Sequence, residues 1–339
     1  MLENIGFYTL NDRRARDANI NSPLWRCELI LTSACNFNCP YCRGFREEDK
    51  RTISYAEAQY IVKYWASERL QNIRFSGGEP TLWPHLVDLV SYARSLGIRR
   101  VAISTNGSAS LLLYLSLIQA GCNDLSISLD ACCASTAETM AGKEGVYDTI
   151  ISNIEALSKI TYVTVGVVLT DTNVVEVNKI VELSSSLGVA DIRLISSAQE
   201  NEPLKALEVR EEILARHPIL RYRYDNVKSG RHVRGIRAGD SGQCSLALDD
   251  MAVLNAYHYP CIIYMREHGR PIGTVGKTTR KDRENWVKSH DSFSDPICRK
   301  NCLDVCVDYN NTWEKFHSKE NQCTSLERMT SRRLSSSAA

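Results

Sequence analysis

Short apolar runs alternate with longer amphipathic segments through the first two thirds of the chain. Apolar runs of about four to eight residues bounded by polar turns are typical of buried strands, whereas apolar positions three and four residues apart indicate helices. The pattern predicts strands at residues 25–32, 72–75, 101–104, 125–129, 162–169 and 192–195. It predicts helices between them at residues 55–70, 86–96, 111–120, 147–157 and 174–187.

This alternation predicts an α/β fold, because strands separated by helices pair in parallel through right-handed crossovers. Six such units are too few for a closed eight-stranded barrel. We therefore expect an open partial (β/α)6 barrel, with ligands bound at the carboxyl ends of its strands.

The pattern changes after residue 196, which suggests a division of the chain into parts. We expect an N-terminal segment at 1–22, the barrel at 23–225 and a small C-terminal domain at 226–323. A helix at 203–216 should cover the barrel, and the chain beyond residue 224 is rich in glycine and is expected to consist mostly of loops. The serine-rich tail at 324–339 is expected to be disordered.

Three cysteines lie close together directly after the first predicted strand, at Cys35, Cys39 and Cys42. Three thiolates at this spacing can converge on one metal centre. An iron–sulfur cluster held by four cysteines is coordinatively closed, whereas three leave one iron open to a small ligand. The alternatives are a zinc knuckle or three buried thiols.

The spacing, with the aromatic Tyr41 before the third cysteine, resembles the CxxxCxxC signature of the radical S-adenosylmethionine (SAM) superfamily. The resemblance implies a 4Fe–4S cluster whose unique iron binds SAM. It also implies one-electron cleavage of SAM to a 5′-deoxyadenosyl radical that abstracts hydrogen from a substrate. A reducing partner such as a flavodoxin or ferredoxin is then expected.

Further motifs follow successive strands in the order that this family shows. They are Gly77-Gly78-Glu79-Pro80, Thr105-Asn106-Gly107 and Ser128-Leu129-Asp130. The resemblance implies that Glu79 accepts a hydrogen bond from the SAM amino group and that the other motifs lie beside SAM. Asn173, after the fifth strand, is a further expected contact. Lys143 stands where many relatives have an arginine that binds the SAM carboxylate, and lysine lacks the bidentate fork of arginine. The residue that binds the SAM carboxylate is therefore left open.

Four more cysteines lie in or near the predicted barrel. Cys132 and Cys133 follow Asp130 at the expected active face, where a thiol could return a hydrogen atom to a substrate radical. The alternative is that they pack into the wall at the start of a helix. Cys27 and Cys122 are expected to be small core residues.

A second cysteine group lies beyond the barrel: Cys244, Cys261, Cys298, Cys302, Cys306 and Cys323. The group resembles the shortened "twitch" form of the SPASM extension, which holds one auxiliary 4Fe–4S cluster. Cys244, Cys261, Cys298 and Cys302 are the expected ligands, and Cys306 could displace either of the last two. The alternative is a structural zinc site. Pro260-Cys261 before an apolar run resembles the small hairpin of that extension.

Composition limits the remaining interpretations. Hydrophobic residues make up 43% and charged residues 24% of the chain, as in ordinary globular proteins, and the net charge of +1 gives no field for nucleic acid or a membrane surface. Neither a membrane-spanning apolar run nor a signal peptide is recognisable. Thirteen cysteines therefore favour metal binding in a reducing compartment, and a cytoplasmic location is expected. A basic stretch could grip phosphate or nucleic acid, or be only a solvated face: Arg266, Arg270, Lys277, Arg280, Lys281 and Arg283.

The substrate is less defined than the cofactor. A small molecule of sugar, aminocyclitol or nucleotide type is the leading expectation, with oxidation, epimerisation or rearrangement as the outcome. Peptide maturation is less favoured because only some twenty residues precede the core, although neither peptide nor nucleic acid is ruled out. The molybdopterin-precursor enzyme of the superfamily is similar, but its C-terminal Gly-Gly pair is missing here. The contrasting hypothesis is a structural metal or redox-sensor protein that binds no SAM.

Overall fold

A nine-stranded sheet organises the computed structural model, which describes residues 12–198 and 207–317. Its strand order is β6-β5-β4-β3-β2-β1-β7-β8-β9. The strands are β1 Arg26–Thr32, β2 Asn72–Gly77, β3 Arg100–Thr105, β4 Asp124–Ser128, β5 Val163–Leu169, β6 Asp191–Ser196, β7 Asp250–Leu254, β8 Tyr257–Tyr259 and β9 Gly273–Thr274.

Strands β1 to β6 are all parallel, in sequence order, and β6 does not pair with β1. This confirms the open six-unit barrel. The sequence did not predict that β7 would pair in parallel with the free side of β1 and so extend the same sheet. Strands β8 and β9 then continue the sheet in antiparallel pairing.

Helices cover the outer face of the sheet. The helices before residue 229 are α1 Asp12–Asp17, α2 Tyr55–Ser67, α3 Leu86–Ser95, α4 Leu111–Gln119, α5 Ala134–Ala141, α6 Tyr147–Ser158, α7 Val177–Ser186, α8 Glu211–Arg216 and α9 Pro218–Lys228. The later helices are α10 Ile262–Arg266, α11 Thr279–Ser289, α12 Pro296–Asn301 and α13 at 304–317. The chain beyond residue 224 is thus more helical than its glycine content suggested, and Tyr224 itself lies inside α9.

Three sequence expectations fall partly or wholly outside the described residues. The helix expected at 203–216 is described only as α8, and residue Cys323 and the tail at 324–339 lie beyond residue 317. The division into a barrel and a C-terminal domain stays a prediction. Among the described residues, no helix is both long and apolar enough to cross a membrane.

The main core cluster lies between the sheet and its helices, and its largest fully buried side chains are Trp65, Tyr114 and Phe75. Helix α2 shows how the sequence sets these elements. Ser54 caps it by accepting from the Glu57 N–H, while the Glu57 carboxylate accepts from the Ser54 N–H, a reciprocal capping box. Its buried face repeats at helical spacing, which is why its hydrophobic pattern was recognisable.

Candidate active site

The three clustered cysteines lie in the loop that follows β1, at the carboxyl edge of the sheet. Cys35 and Cys42 are exposed and Cys39 is half-buried. The Phe37 N–H donates to the Cys35 sulfur at 3.4 Å, and the Gly44 N–H donates to the Cys42 sulfur at 3.4 Å. All three thiols line two adjoining cavities, of about 560 Å³ and about 230 Å³.

Two glycines hold this cysteine loop against the end of β2. The Gly78 N–H donates to the Thr32 carbonyl at 2.7 Å, and the Glu79 N–H donates to the Ala34 carbonyl at 2.8 Å. A Cβ atom on Gly78 would lie 2.2 Å from the Ala34 oxygen, and one on Gly77 would lie 2.4 Å from the Thr32 oxygen. The glycines are therefore required by the close approach of two backbone segments of the protein itself.

The other side of the cysteine loop rests on the C-terminus of α5. The Asn38 N–H donates to the Ala141 carbonyl at 2.9 Å, and the Cys39 thiol lies 3.8 Å from that same oxygen. Gly142 ends α5 with a φ of +59°, and a Cβ atom there would lie 2.2 Å from the Asn38 carbonyl oxygen. The loop is thus clamped between two backbone surfaces, which fixes the direction of its sulfurs.

Tyr41 ties the loop to the end of β4. Its hydroxyl donates to one carboxylate oxygen of Asp130, and the Val168 N–H donates to the other at 2.6 Å. Burial raises the pKa of Asp130 from 3.8 to about 6, partly offset by these two donors. Burial likewise raises the pKa of the Cys39 thiol to about 12. A metal centre would have to replace that proton to bind Cys39.

Glu79 is buried behind the cavity wall with only 1% of its surface exposed. Its Oε1 accepts from the Thr81 hydroxyl at 2.7 Å and the Thr105 hydroxyl at 2.8 Å, and its Oε2 accepts from the Asn106 N–H at 2.7 Å. The carboxylate therefore joins the turns after β2 and β3. Its expected contact with the SAM amino group stays a prediction, since Glu79 lines neither cavity.

Of the other residues predicted beside SAM, Asn106, Ser128 and Asp130 line the smaller cavity, and so do Tyr41, Gly77 and Gly78. Thr105 lines it as well, with its hydroxyl also near the Tyr114 hydroxyl at 2.9 Å. Asn106 is held by its Nδ2, which donates to the Asn36 side chain at 2.8 Å. The turns after β2, β3 and β4 thus meet the cysteine loop at one edge, as the sequence order predicted.

Asn173 is fully buried and outside the cavity lining. Its side-chain N–H groups donate to the Asp130 carbonyl at 2.7 Å and to the Val168 carbonyl at 2.9 Å. It therefore joins the ends of β4 and β5 and supports Asp130 from behind. Lys143 is exposed, lies 5.7 Å from the Phe37 ring centre and lines neither cavity.

Two arginines reach this site from the later elements of the chain: Arg234, which sequence reasoning did not single out, and Arg266, which it named only within the basic stretch. Arg266, at the end of α10, lines both cavities and donates to the Gly77 carbonyl at 2.7 Å, with its guanidinium 4.4 Å from the Phe45 ring centre. Arg234 lines the larger cavity and donates to the Ser196 carbonyl at 2.9 Å. Only the topology, which brings α10 beside the cysteine loop, could have indicated them.

The basic stretch of the sequence does not form one surface. Arg283 is 1% exposed and donates to the Ala247 carbonyl at 2.6 Å and the Tyr259 carbonyl at 3.0 Å, so it holds the later strands together. Arg280 pairs with Glu68 at 2.9 Å. Arg270 and Lys277 are exposed. The stretch is therefore neither a single solvated face nor a continuous phosphate- or nucleic-acid-binding patch.

Cys132 and Cys133, the predicted hydrogen donors, line neither cavity of the cysteine loop. The Cys132 thiol donates to Glu176 at 3.4 Å, and the Cys133 thiol lies 3.4 Å from the hydroxyls of Ser135 and Thr136. Their role as hydrogen donors stays a prediction. Cys27 and Cys122 are buried in the core.

The later cysteines converge on a second, smaller site. Five of them line one cavity of about 30 Å³: Cys244, Cys261, Cys298, Cys302 and Cys306. Burial raises the pKa of Cys244 to about 11 and that of Cys261 to about 12. Cys302 donates a hydrogen bond to Cys306, which lowers the pKa of Cys306 and raises that of Cys302. The sequence spacing therefore identified a real cluster of thiols.

Comparison with known sequences bears on the cysteine loop. The sequence model of the Radical SAM superfamily matches residues 29–183, from β1 into α7. A protein named "Probable GTP 3',8-cyclase" from Saccharolobus islandicus is 33% identical over 176 residues, which cover 51% of this chain and 57% of that protein. A protein of the same name from Sulfurisphaera tokodaii is 24% identical over 210 residues, which cover 61% of this chain and 67% of that protein. This chain thus spans a little more than half the length of the first relative.

Solved structures share the fold over more of the chain. Streptococcus suis SuiB bound to S-adenosylmethionine has a TM-score of 0.57 at 15% identity, with 82% of this chain and 67% of that chain covered. Native anSMEcpe with bound AdoMet has a TM-score of 0.55 at 15% identity, with 89% and 99% covered. At this identity the likeness concerns the fold alone.

Proposed function

We propose that this chain, whose sequence match and structural neighbours support the radical SAM superfamily, is an enzyme that cleaves SAM reductively and abstracts hydrogen from a small anionic substrate. The observation that carries the proposal is the cysteine loop. Three thiols line a cavity at the carboxyl edge of a parallel sheet, and no other cysteine of the described residues lines that cavity. Three ligands leave one metal position for SAM.

The residues fit an iron–sulfur cluster better than a single zinc ion. A tetrahedral zinc with Zn–S bonds of about 2.3 Å keeps its sulfur ligands about 3.8 Å apart. Among the described residues, Cys35, Cys39 and Cys42 do not form a group whose sulfurs all lie within 4.8 Å of one another. Two backbone N–H groups, from Phe37 and Gly44, donate to the sulfurs of Cys35 and Cys42.

A four-iron cluster on these thiolates would supply the single electron that cleaves SAM. The side chains of this protein would position SAM and the substrate beside the cluster. Asn106, Ser128 and Asp130 form the polar wall of the smaller cavity, where an amino-acid and ribose moiety would find donors and acceptors. Arg266 places a cation at the junction of the two cavities, where the expected carboxylate partner of SAM is otherwise missing.

Three arginines favour an anionic substrate of nucleotide type. Arg43, Arg234 and Arg266 line the larger cavity, whereas Glu267 is an acidic residue there and already pairs with Arg43. Fork-shaped guanidinium groups suit phosphate oxygens. The relatives named GTP 3',8-cyclase point to the same class, and a nucleoside triphosphate is therefore the first substrate to test.

We also propose that the five later cysteines hold an auxiliary 4Fe–4S cluster of the twitch type. Their shared cavity supports this, and so does the wide sulfur spacing, since no three of them lie within 4.8 Å of one another. Cys244, Cys261, Cys298 and Cys302 are the proposed ligands. The Cys302–Cys306 hydrogen bond puts Cys306 close enough to exchange with Cys302.

Iron content tests the auxiliary cluster. Anaerobically reconstituted wild type should carry about eight irons, as two four-iron clusters. A Cys35→Ala/Cys39→Ala/Cys42→Ala variant should keep about four, with a paramagnetic signal that SAM does not change. Cys261→Ala added to that variant should remove the remaining iron. A triple variant that holds zinc and no iron would contradict the proposal of an auxiliary cluster. It would not contradict the proposal of SAM cleavage at the cysteine loop.

Substrate-dependent formation of 5′-deoxyadenosine tests the nucleotide assignment. With SAM and dithionite, or a reduced flavodoxin or ferredoxin, a nucleoside triphosphate should raise its yield. The matching nucleoside and unrelated peptides should not. Arg234→Gln, at an arginine that lines only the larger cavity, should abolish the increase, while Arg270→Gln, at an exposed arginine that lines neither cavity, should retain it. An increase with peptides alone would support peptide maturation instead and refute the nucleotide assignment.

A further inference from the structure

Cys132 and Cys133 form a compact group of ligand atoms with Glu176 outside the cavities described above. One thiol sulfur from each cysteine and one carboxylate oxygen lie within 4.8 Å of one another. The three side chains come from the loop after β4 and from the short 3₁₀ turn that precedes α7. All three are half-buried, so the group is supported by the fold and open to solvent on one side.

The spacing of this group suits a single tetrahedral ion. Zinc bonds of about 2.3 Å to sulfur and about 2.0 Å to a carboxylate oxygen place those two ligand atoms about 3.5 Å apart. The Cys132 sulfur and the Glu176 Oε2 are 3.4 Å apart. No three sulfurs of the cysteine loop, or of the five later cysteines, lie this close together. The described residues hold one other group of this compactness, His290, Asp295 and Cys298, but it has a single sulfur, whereas the group at Glu176 has two.

Neighbouring polar groups form hydrogen bonds that orient the three ligand side chains. The Thr136 hydroxyl donates to the Glu176 Oε1 at 2.8 Å, which leaves Oε2 directed at Cys132. The same hydroxyl lies 3.4 Å from the Cys133 sulfur. The Tyr147 hydroxyl donates to the Cys132 carbonyl at 2.9 Å and fixes that backbone. Such partners set both the direction and the basicity of ligands.

We propose that Cys132, Cys133 and Glu176 bind a thiophilic divalent cation of the zinc class, with a water molecule in the fourth position. Two thiolates and one carboxylate select this class over calcium or magnesium, which take oxygen ligands. The ion would join the loop after β4 to the segment before α7. Both segments begin near the Asp130–Asn173 contact that supports Tyr41, so the ion would stabilise the rear of the active site. The inference does not depend on the proposed reaction.

Zinc binding by the cluster-loaded protein tests this site. Holoprotein stripped of loose metal is titrated with Zn²⁺ against a chromophoric chelator, and iron is measured in parallel to verify that both thiol clusters remain occupied. Wild type should bind one tight equivalent. Cys132→Ser/Cys133→Ser should bind none while keeping its iron and circular dichroism. Thr136→Val, which removes only the orienting hydroxyl, should weaken binding by about 10- to 100-fold.

A matched control and a spectroscopic measurement separate this site from adventitious binding. Glu176→Gln should weaken binding, whereas Glu182→Gln, an exposed carboxylate on the following helix α7, should not. With Cd²⁺ as the probe, X-ray absorption should show two sulfur neighbours in wild type. The proposal is overturned if wild type binds no tight equivalent, if the double serine variant binds as wild type does, or if cadmium has no sulfur neighbour.

Discussion

Substitution of Gly78 by alanine should release the cysteine loop from the sheet. The new Cβ atom would lie 2.2 Å from the Ala34 carbonyl oxygen, whereas ordinary contacts begin near 3.4 Å, so the two backbones must separate by about 1.2 Å. That separation breaks the hydrogen bonds from Gly78 to Thr32 and from Glu79 to Ala34. Buried backbone groups left without partners cost about 1–3 kcal/mol each, so the conformation in which the loop packs against the sheet is destabilised by about 2–6 kcal/mol.

The lower end of that range is already large, because about 1.4 kcal/mol corresponds to a tenfold change in an equilibrium. Gly78→Ala should therefore weaken cluster retention at Cys35, Cys39 and Cys42 by at least about 30-fold. Iron per protein after gel filtration should fall toward four, and SAM cleavage should fall with it. The expected loss is local, since the later cysteines do not touch this contact.

Gly276→Ala is the matched control, because its added Cβ would have its nearest neighbour at 3.9 Å and its φ is not in the left-handed region. It should keep wild-type iron and wild-type cleavage. If Gly78→Ala retains both iron complements and cleaves SAM at the wild-type rate, the argument that backbone contact positions the loop is refuted.

Three further substitutions test polar side chains that join separate elements of the fold. Glu79→Gln should lower the free energy of unfolding by about 1–3 kcal/mol in denaturant titration, because the NH₂ group of the amide must face at least one N–H or O–H donor. An unchanged unfolding midpoint would contradict the role given to these hydrogen bonds. Tyr41→Phe should raise the pKa of Asp130 further above about 6, because the lost hydroxyl stabilises the charged form of this carboxylate. The titration is followed through the infrared band of the carboxylate, which Asp130→Asn lacks, and a titration midpoint lower than in wild type would contradict the prediction. The raised pKa also means that the contribution of Asp130 to native stability falls as pH rises from about 4 to about 6. Arg283→Met should make the elements after residue 244 sensitive to protease, since at least two buried carbonyls lose their donor; resistance equal to wild type would show that other contacts suffice.

The barrel could be predicted from sequence because its signals are local. Each of the six strands is a short apolar run followed by a polar turn, and α2 carries both an amphipathic face and a capping box. Strand β7 escaped because a five-residue, fully buried run has no periodicity to distinguish it from loop or helix. Its pairing with β1 joins residues far apart in the sequence, and no local sequence pattern predicts such pairing.

The candidate site was predictable as a set of motifs and less so as a geometry. The cysteine spacing found both thiol groups, and the order of the turns found Asn106, Ser128 and Asp130 at one edge. The burial of Glu79 and Asn173 depends on packing between turns, which spacing does not reveal. Arg266 reaches the cavity only because the later elements extend the sheet beside the cysteine loop.

Formation of 5′-deoxyadenosine tests the central claim most directly. Anaerobic, cluster-loaded wild type is mixed with SAM and dithionite, and the product is measured by mass spectrometry beside the Cys35→Ala/Cys39→Ala/Cys42→Ala variant. Circular dichroism and the iron retained at the later cysteines verify that the variant is folded. The account predicts 5′-deoxyadenosine from wild type and none above the protein-free background from the variant. Equal yields from the two proteins, or none from either, would contradict it.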